Sequence, residues 1–221
     1  MTKSDNRKMF RSGMKVYSRP FYSISRQYVD YLRKELQDCK TVLDLGYGRS
    51  SPLQYFSFTY SVGVELFKPY LQETRKARIF DDYIFADIRE IEFKEDSFDA
   101  VLALDVLEHL TKEDGYRIIR KMQRWARMKV IIFTPNGFVL QNAYDNNPFQ
   151  IHISGWTTSE FERMGFRVYG VNGWKMLRKE QAELKFKPRV FWQVISEATQ
   201  KIVCFCPEYA FQLLCIKELV T

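Results

Sequence analysis

The chain has 221 residues, 46% of them hydrophobic and 16% aromatic, which is enough apolar material for one sizeable core, so a single domain over residues 1–221 is expected. No run approaches the roughly 18 consecutive apolar residues of a membrane-spanning helix, and Met1 to Arg11 lacks the apolar centre of a signal peptide, which predicts a cytoplasmic protein. The 34 basic residues exceed the 27 acidic ones to give a net charge of +7, a bias toward anionic partners that names none. Much of that excess lies in residues 1–20, where Lys3, Arg7, Lys8, Arg11, Lys15 and Arg19 face Asp5 alone, the composition of a solvated, mobile basic arm. Tyr28, Leu32 and Leu36 are spaced for a helix, and a first strand is predicted from Thr41 to Leu45. Further strands are predicted at Tyr60 to Glu65, Tyr83 to Asp87, Phe98 to Leu104 and Val130 to Thr134, nearly continuous in apolar residues as strands covered on both faces should be.

Between these runs, Thr111 to Met128 reads as a helix with Ile118, Ile119, Met122, Trp125 and Ala126 on one face, opened by Thr111 and Asp114 in a capping-box-like pair. Thr157 to Met164 carries the start signal Thr157 with Glu160, and Gly165 stands where a left-handed stop is wanted. Two last strands are predicted at Phe166 to Val171 and Ala210 to Lys217, separated by an insert over residues 172–208. Within the insert Val190, Phe191, Val194, Ile195, Ala198 and Ile202 mark one helical face, preceded by Lys185, Lys187 and Arg189. That face is expected to pack on its own sheet or to cap a pocket, with a membrane surface as the third possibility. The alternation of strands and helices predicts an α/β fold, Rossmann-like, with a doubly wound parallel sheet.

A metal site is not expected. Cys39, Cys204, Cys206 and Cys215 lack paired C-x-x-C spacing, only His109 and His152 could add imidazole ligands, and Cys204-Phe205-Cys206 reads as free thiols.

Ligand chemistry concentrates at Thr41-Val42-Leu43-Asp44-Leu45-Gly46-Tyr47-Gly48-Arg49-Ser50-Ser51-Pro52. Two glycines directly after a buried strand allow a tight turn and close approach of a ligand to the backbone. A phosphate loop would need G-x-x-x-x-G-K-[ST], which is absent, and a nicotinamide site would need glycine at Ser51. Glu65, 19 residues beyond Gly46, ends the second strand where a carboxylate can accept both hydroxyls of a ribose. Asp87 ends the third predicted strand, near where an adenine amino group would lie. Three carboxylates at successive strand ends, Asp44, Glu65 and Asp87, argue for an adenosine site.

Leu43-Asp44-Leu45-Gly46-Tyr47-Gly48, Gly63-Val64-Glu65, Ala86-Asp87 and Phe98-Asp99-Ala100-Val101-Leu102-Ala103-Leu104-Asp105-Val106-Leu107-Glu108-His109-Leu110 resemble, in order, the successive motifs of class I S-adenosylmethionine-dependent methyltransferases. The resemblance spans Thr41 to Gly173. It implies a seven-stranded sheet in the order 3-2-1-4-5-7-6 with the seventh strand antiparallel, and S-adenosylmethionine as cofactor. Gly46, Tyr47 and Gly48 would cradle the methionine part, Asp44 would support its ammonium, Glu65 with Leu66 would hold the ribose, and Asp87 with Ile88 would frame the adenine. Leu104 and Asp105 would line the sulfonium side. Ser50 stands where the family commonly has a third glycine.

Because a sulfonium methyl is already activated, the protein mainly holds the acceptor in line and excludes water, and a base is needed only for an acceptor that is a poor nucleophile when protonated. Asp105 and His109 are the candidate catalytic residues. His109 has two roles open to it, proton acceptor or structural residue bonded to nearby backbone, and His152, in the loop after the fifth predicted strand, likewise touches substrate or fastens that loop. The resemblance favours O-methylation of a small molecule or glycan. RNA or protein methylation and a non-catalytic, cofactor-binding partner role are the alternatives. Asn147-Pro148-Phe149 resembles a base-methylation signature but stands after the wrong strand, so nucleic acid is the weaker choice. The oligomeric state has no signal.

Overall fold

The computed structural model describes residues 26–179 and 182–219. The basic segment 1–20 lies outside the described residues. Seven strands, β1 (Thr41–Leu45), β2 (Tyr60–Glu65), β3 (Asp82–Phe85), β4 (Phe98–Leu104), β5 (Ala126–Pro135), β6 (Arg167–Trp174) and β7 (Ala210–Glu218), form one sheet in the order β3-β2-β1-β4-β5-β7-β6. β7 is antiparallel to both of its neighbours, and the pairs among the other strands are parallel. This is the expected Rossmann-like order.

The register explains why the central strands read as continuous apolar runs. Leu43 lies between Val62 and Val101, and the sheet is covered on both faces. On one face Leu43, Val64, Val101 and Ile132 pack against Ile118, Ile119, Met122 and Trp125 of α3 (Lys112–Trp125). On the other, Val42, Leu102, Phe133 and Leu214 pack against Tyr28, Leu32 and Leu36, which belong to or directly follow α1 (Arg26–Glu35). α2 (Lys68–Ala77) follows β2, and α4 (Thr158–Arg163) opens with the reciprocal capping box of Thr157 and Glu160. Gly165 follows at a φ of +81°, the left-handed conformation that glycine adopts without a Cβ penalty.

Three boundaries differ from expectation. α3 stops at Trp125 because Ala126 already pairs with Phe98, which lengthens β5 at its start. β3 ends at Phe85, so Asp87 lies in the turn beyond the strand. β6 runs on to Trp174, paired with Ala210, and takes the first residues of the expected insert.

A larger difference concerns α5 (Arg189–Val203), which packs with the opposite face from the one its apolar spacing predicts. Ser196, Gln200 and Val203 are buried against β6, while Val190, Phe191, Val194 and Ile202 are exposed. The physical reason is that β6 is an edge strand whose outward backbone groups need partners. Gln200 supplies two, donating from Nε2 to the Gly170 carbonyl at 2.8 Å and accepting from the Gly173 amide at 2.8 Å, and Thr199 accepts from the Trp174 amide at 3.1 Å. Gly170 and Gly173 permit the close approach, since a Cβ at Gly170 would stand 2.0 Å from the Val203 carbonyl oxygen. Among the described residues no helix is long and apolar enough to cross a membrane.

Candidate functional site

The site is built where β1 and β4 end. Gly46 and Gly48 take φ values of +62° and +64°, so the chain after β1 reverses through two left-handed residues. A Cβ at Gly46 would press on Val106 at 3.0 Å, whereas one at Gly48 would meet nothing within 4 Å, so the turn is closed toward β4 and open at Gly48. The segment then enters a single short helical turn, Pro52–Tyr55, capped by Ser51. Tyr47 turns its ring inward against Phe80 and Tyr83, with its hydroxyl accepting from Thr74 at 3.2 Å, so what it offers at the turn is backbone.

Asp44 is fully buried beneath this turn. Its Oδ2 accepts from the Ser51 hydroxyl at 2.5 Å, while Oδ1 has no hydrogen-bond partner among the described residues. Burial pushes its carboxyl up to about 7 against the opposing Ser51 bond. A buried carboxylate oxygen left unsatisfied is costly and calls for a donor. The ammonium of a methionine moiety has the right charge and donor count, so this orphaned atom fits the expected cofactor.

Glu65, buried at the end of β2, accepts from the Gly48 amide at 2.8 Å and from the Phe67 amide at 2.7 Å. Burial raises its carboxyl, and the backbone bonds oppose the shift. An ionised carboxylate offers about four acceptor sites, and backbone amides of Gly48, Leu66 and Phe67 hold Glu65 without filling all of them. Leu66 is half-buried beside it. Asp87 is held by Arg89 through Nε at 3.0 Å and Nη2 at 2.5 Å, and this pairing keeps its carboxyl below its usual range. Ile88 is buried in the core between these loops and α3, and Leu104 is half-buried at the end of β4.

Asp105, directly after β4, has a φ of +55° and accepts from the Gln212 amide side chain at 3.1 Å. Solvent reaches it, yet protein crowds it on its other sides, and this desolvation pushes its carboxyl up to about 7. Glu108 is buried, accepts from the Thr134 hydroxyl at 3.0 Å, and is raised by burial and by Asp105. His109 Nδ1 lies 3.1 Å from the Ile151 carbonyl, and His152 Nδ1 lies 2.6 Å from the Val139 carbonyl. A carbonyl only accepts, so each ring carries a proton on Nδ1, which leaves Nε2 of a neutral His109 as its acceptor. The two rings stand 4.8 Å apart, and burial pulls His109 down to about 4.

The structure thus brings His109 and His152 together, from positions 43 residues apart, and adds Glu108. The sequence signal for Glu108 was present in the string Leu107-Glu108-His109-Leu110, but nothing in the sequence places His152 beside it. The loop responsible is stitched to the turn after β4, with the Ile153 and Ser154 amides donating to the Glu108 carbonyl at 2.9 and 3.1 Å. Glu108, His109 and His152 also form a candidate cation trio, against the expectation of no metal, with ligand atoms within 4.8 Å of one another. Ligands about 2.0–2.2 Å from one ion in a tetrahedron sit roughly 3.3–3.6 Å apart, so the trio would have to close to hold it. Gln212, from β7, is the other contributor to the site that sequence spacing gave no reason to choose.

Residues 43–134 match the family model described as a methyltransferase domain. No curated protein matches the chain closely by sequence. Among solved structures, it is similar to an S-adenosylmethionine-dependent methyltransferase from Archaeoglobus fulgidus, at 18% identity and a TM-score of 0.55, over 88% of this chain and 94% of that one. It is similar to another from Mesorhizobium loti, at 15% identity and a TM-score of 0.57, over 87% and 96%. A third is a protein of Pyrococcus horikoshii, at 16% identity and a TM-score of 0.56, over 94% and 100%. At these identities the structures speak for the fold, while the family match covers the segment carrying the glycine turn, Glu65, Asp87 and Asp105. Taken together, residues 43–134 are similar to a methyltransferase domain and lie within a Rossmann-like sheet of the order shared with these structures.

Proposed function

We propose that this enzyme methylates a hydroxyl oxygen of a small molecule or glycan, with His109 as the proton acceptor. When bound, S-adenosylmethionine supplies an electrophilic methyl group on a sulfonium sulfur. Asp44 would hold the ammonium, Glu65 the ribose hydroxyls, and the turn at Gly46 and Gly48 would give its backbone to the methionine part. Asp87 and Ile88 would border the adenine, and Leu104 and Asp105 the sulfonium. His109 Nε2 would take the proton of an acceptor hydroxyl placed beside it, leaving the oxygen free to receive the methyl group that the cofactor would supply. The observation that carries this reading is the His109 imidazole near the end of β4, whose Nδ1 is held 3.1 Å from the Ile151 carbonyl, leaving Nε2 as the proton acceptor. An amine or thiolate acceptor has less need of it.

A second reading follows from the trio. A divalent cation on Glu108, His109 and His152 would lower the pKa of a bound acceptor hydroxyl directly, making His109 a ligand instead of a base. The experiment is a screen of hydroxylated metabolites and glycans with methyl-labelled cofactor, product read by mass and NMR, with and without chelator. An O-methyl product formed at equal rates in both arms supports the first reading. Loss on chelation with return on added Mn²⁺ or Mg²⁺ supports the second, and methyl appearing only on nitrogen of RNA or protein defeats both.

A further inference from the structure

The outward face of α5 is an exposed apolar face that the site does not use. Val190 is 79% exposed, Val194 61%, Ile202 66% and Phe191 55%, and Phe205 beyond the helix is 82% exposed. On a helix of 3.6 residues per turn, Val190, Val194, Phe191, Ala198 and Ile202 fall within one arc, opposite the arc of Ser196, Gln200 and Val203 that meets β6. Phe186 leans on Trp192, ring centres 4.9 Å apart, and extends the ridge ahead of the helix.

The helix cannot roll this face inward. Gln200 and Thr199 are bonded to β6, and Arg178 clamps the far side, donating to the Asn172 carbonyl at 2.5 Å, the Ala182 carbonyl at 2.6 Å and the Ser196 hydroxyl at 2.9 Å. A rigidly oriented apolar face on a surface is the signature of a docking site. Charge decides what docks. Between residues 183 and 203 the chain carries four cations, Lys185, Lys187, Arg189 and Lys201, against two carboxylates, Glu183, which stands 4.0 Å from Arg189, and Glu197. All four cations are exposed. A second copy meeting this face about a twofold axis would set the same cations against each other. An anionic bilayer complements both properties, receiving the apolar ridge among its acyl chains and the cations among its headgroups, with the helix lying flat in the interface.

We propose that α5 docks the enzyme onto anionic phospholipid surfaces through Val190, Phe191, Val194 and Ile202, with Lys185, Lys187, Arg189 and Lys201 facing the headgroups. The proposal is independent of which acceptor the site takes.

The test is flotation of the full chain with vesicles of phosphatidylcholine, with or without phosphatidylglycerol, alongside light scattering of the protein alone. The variants are Val194→Glu with Ile202→Glu, and Lys185→Glu with Lys187→Glu, all at exposed positions, with S-adenosylmethionine affinity as the check that each is folded. Expected are binding to the phosphatidylglycerol vesicles that weakens with salt, and at least about a tenfold loss in each double variant. No binding to anionic vesicles, or binding unchanged by Val194→Glu with Ile202→Glu, overturns the proposal. A dimer dispersed by that same pair of substitutions also overturns it and assigns the face to a second copy.

Discussion

Residues 41–105, which hold the expected cofactor contacts, and residues 106–209, which carry Glu108, His109 and His152, are built on different terms. In the first region the functional groups sit at the ends of adjacent parallel strands, and the turn backbone itself orients them, as when Gly48 and Phe67 fix Glu65. In the second, Glu108, His109, Gln141 and His152 are assembled by a long connection that crosses back over the turn after β4, and Phe138, Leu140, Phe149 and Ile153 on that connection are exposed. A rigid frame suits a cofactor that never changes. Long connections are where a fold acquires a particular acceptor.

If the two regions are separable, damage to one should spare the other. The largest effect is expected from His109→Gln, a loss of about 10²–10⁴-fold in kcat with S-adenosylmethionine affinity unchanged by calorimetry. A parallel fall in cofactor affinity would break the division. The converse substitution, Glu65→Ala, removes a charged acceptor and strands the Gly48 and Phe67 amides, so cofactor affinity should drop by about 1.5–3 kcal/mol. Unchanged affinity in Glu65→Ala would remove it from the ribose site.

The same division governs what could be read from the sequence. Buried parallel strands announce themselves as apolar runs, and β1, β2 and β4 fall at their expected bounds because burial on both faces leaves no other pattern. Glu65 was legible because its spacing from the glycine turn is set by one strand, one connection and one more strand. His152 beside His109 was not, since loop geometry over residues 136–157 is decided by backbone bonds such as the Gly137 amide to the Trp156 carbonyl at 2.6 Å, which have no residue-type signature. Nor was Glu108 legible as a buried, charge-coupled group. α5 misled for a different reason. Apolar periodicity locates a helix face but not what the neighbouring surface wants, and β6 wanted hydrogen bonds.

That misreading can be sharpened by a smaller effect. Gly170→Ala forces a Cβ against the Val203 carbonyl and the Ala210 side chain, neither of which can swing away freely. A destabilisation of about 1–3 kcal/mol is expected from overpacking. Amide exchange should quicken over residues 189–203, with cofactor affinity retained. Loss of protection spread evenly over β1 to β4 instead would show that the edge helix and the cofactor frame fold as one unit.

The smallest effect lies inside the cofactor region and concerns Asp44. Its carboxyl is raised to about 7 when folded, against about 3.9 in an unfolded chain, so between those values the native state holds the proton more tightly. The stabilisation is therefore fully present below about pH 4 and is lost as pH rises through about 7. Asp44→Asn should melt higher than the wild type near pH 8 by on the order of 1 kcal/mol, and the advantage should shrink toward about pH 5. Some pH slope will persist in the variant, because desolvation also raises Glu65, Asp105 and Glu108. Cofactor should reverse the ranking. An ammonium beside Oδ1 favours the ionised carboxylate, so the wild type should gain more thermal stability from S-adenosylmethionine near pH 8 than near pH 6, and Asp44→Asn should gain less at both. Equal gains in variant and wild type would mean that the unsatisfied oxygen is not where the methionine ammonium binds.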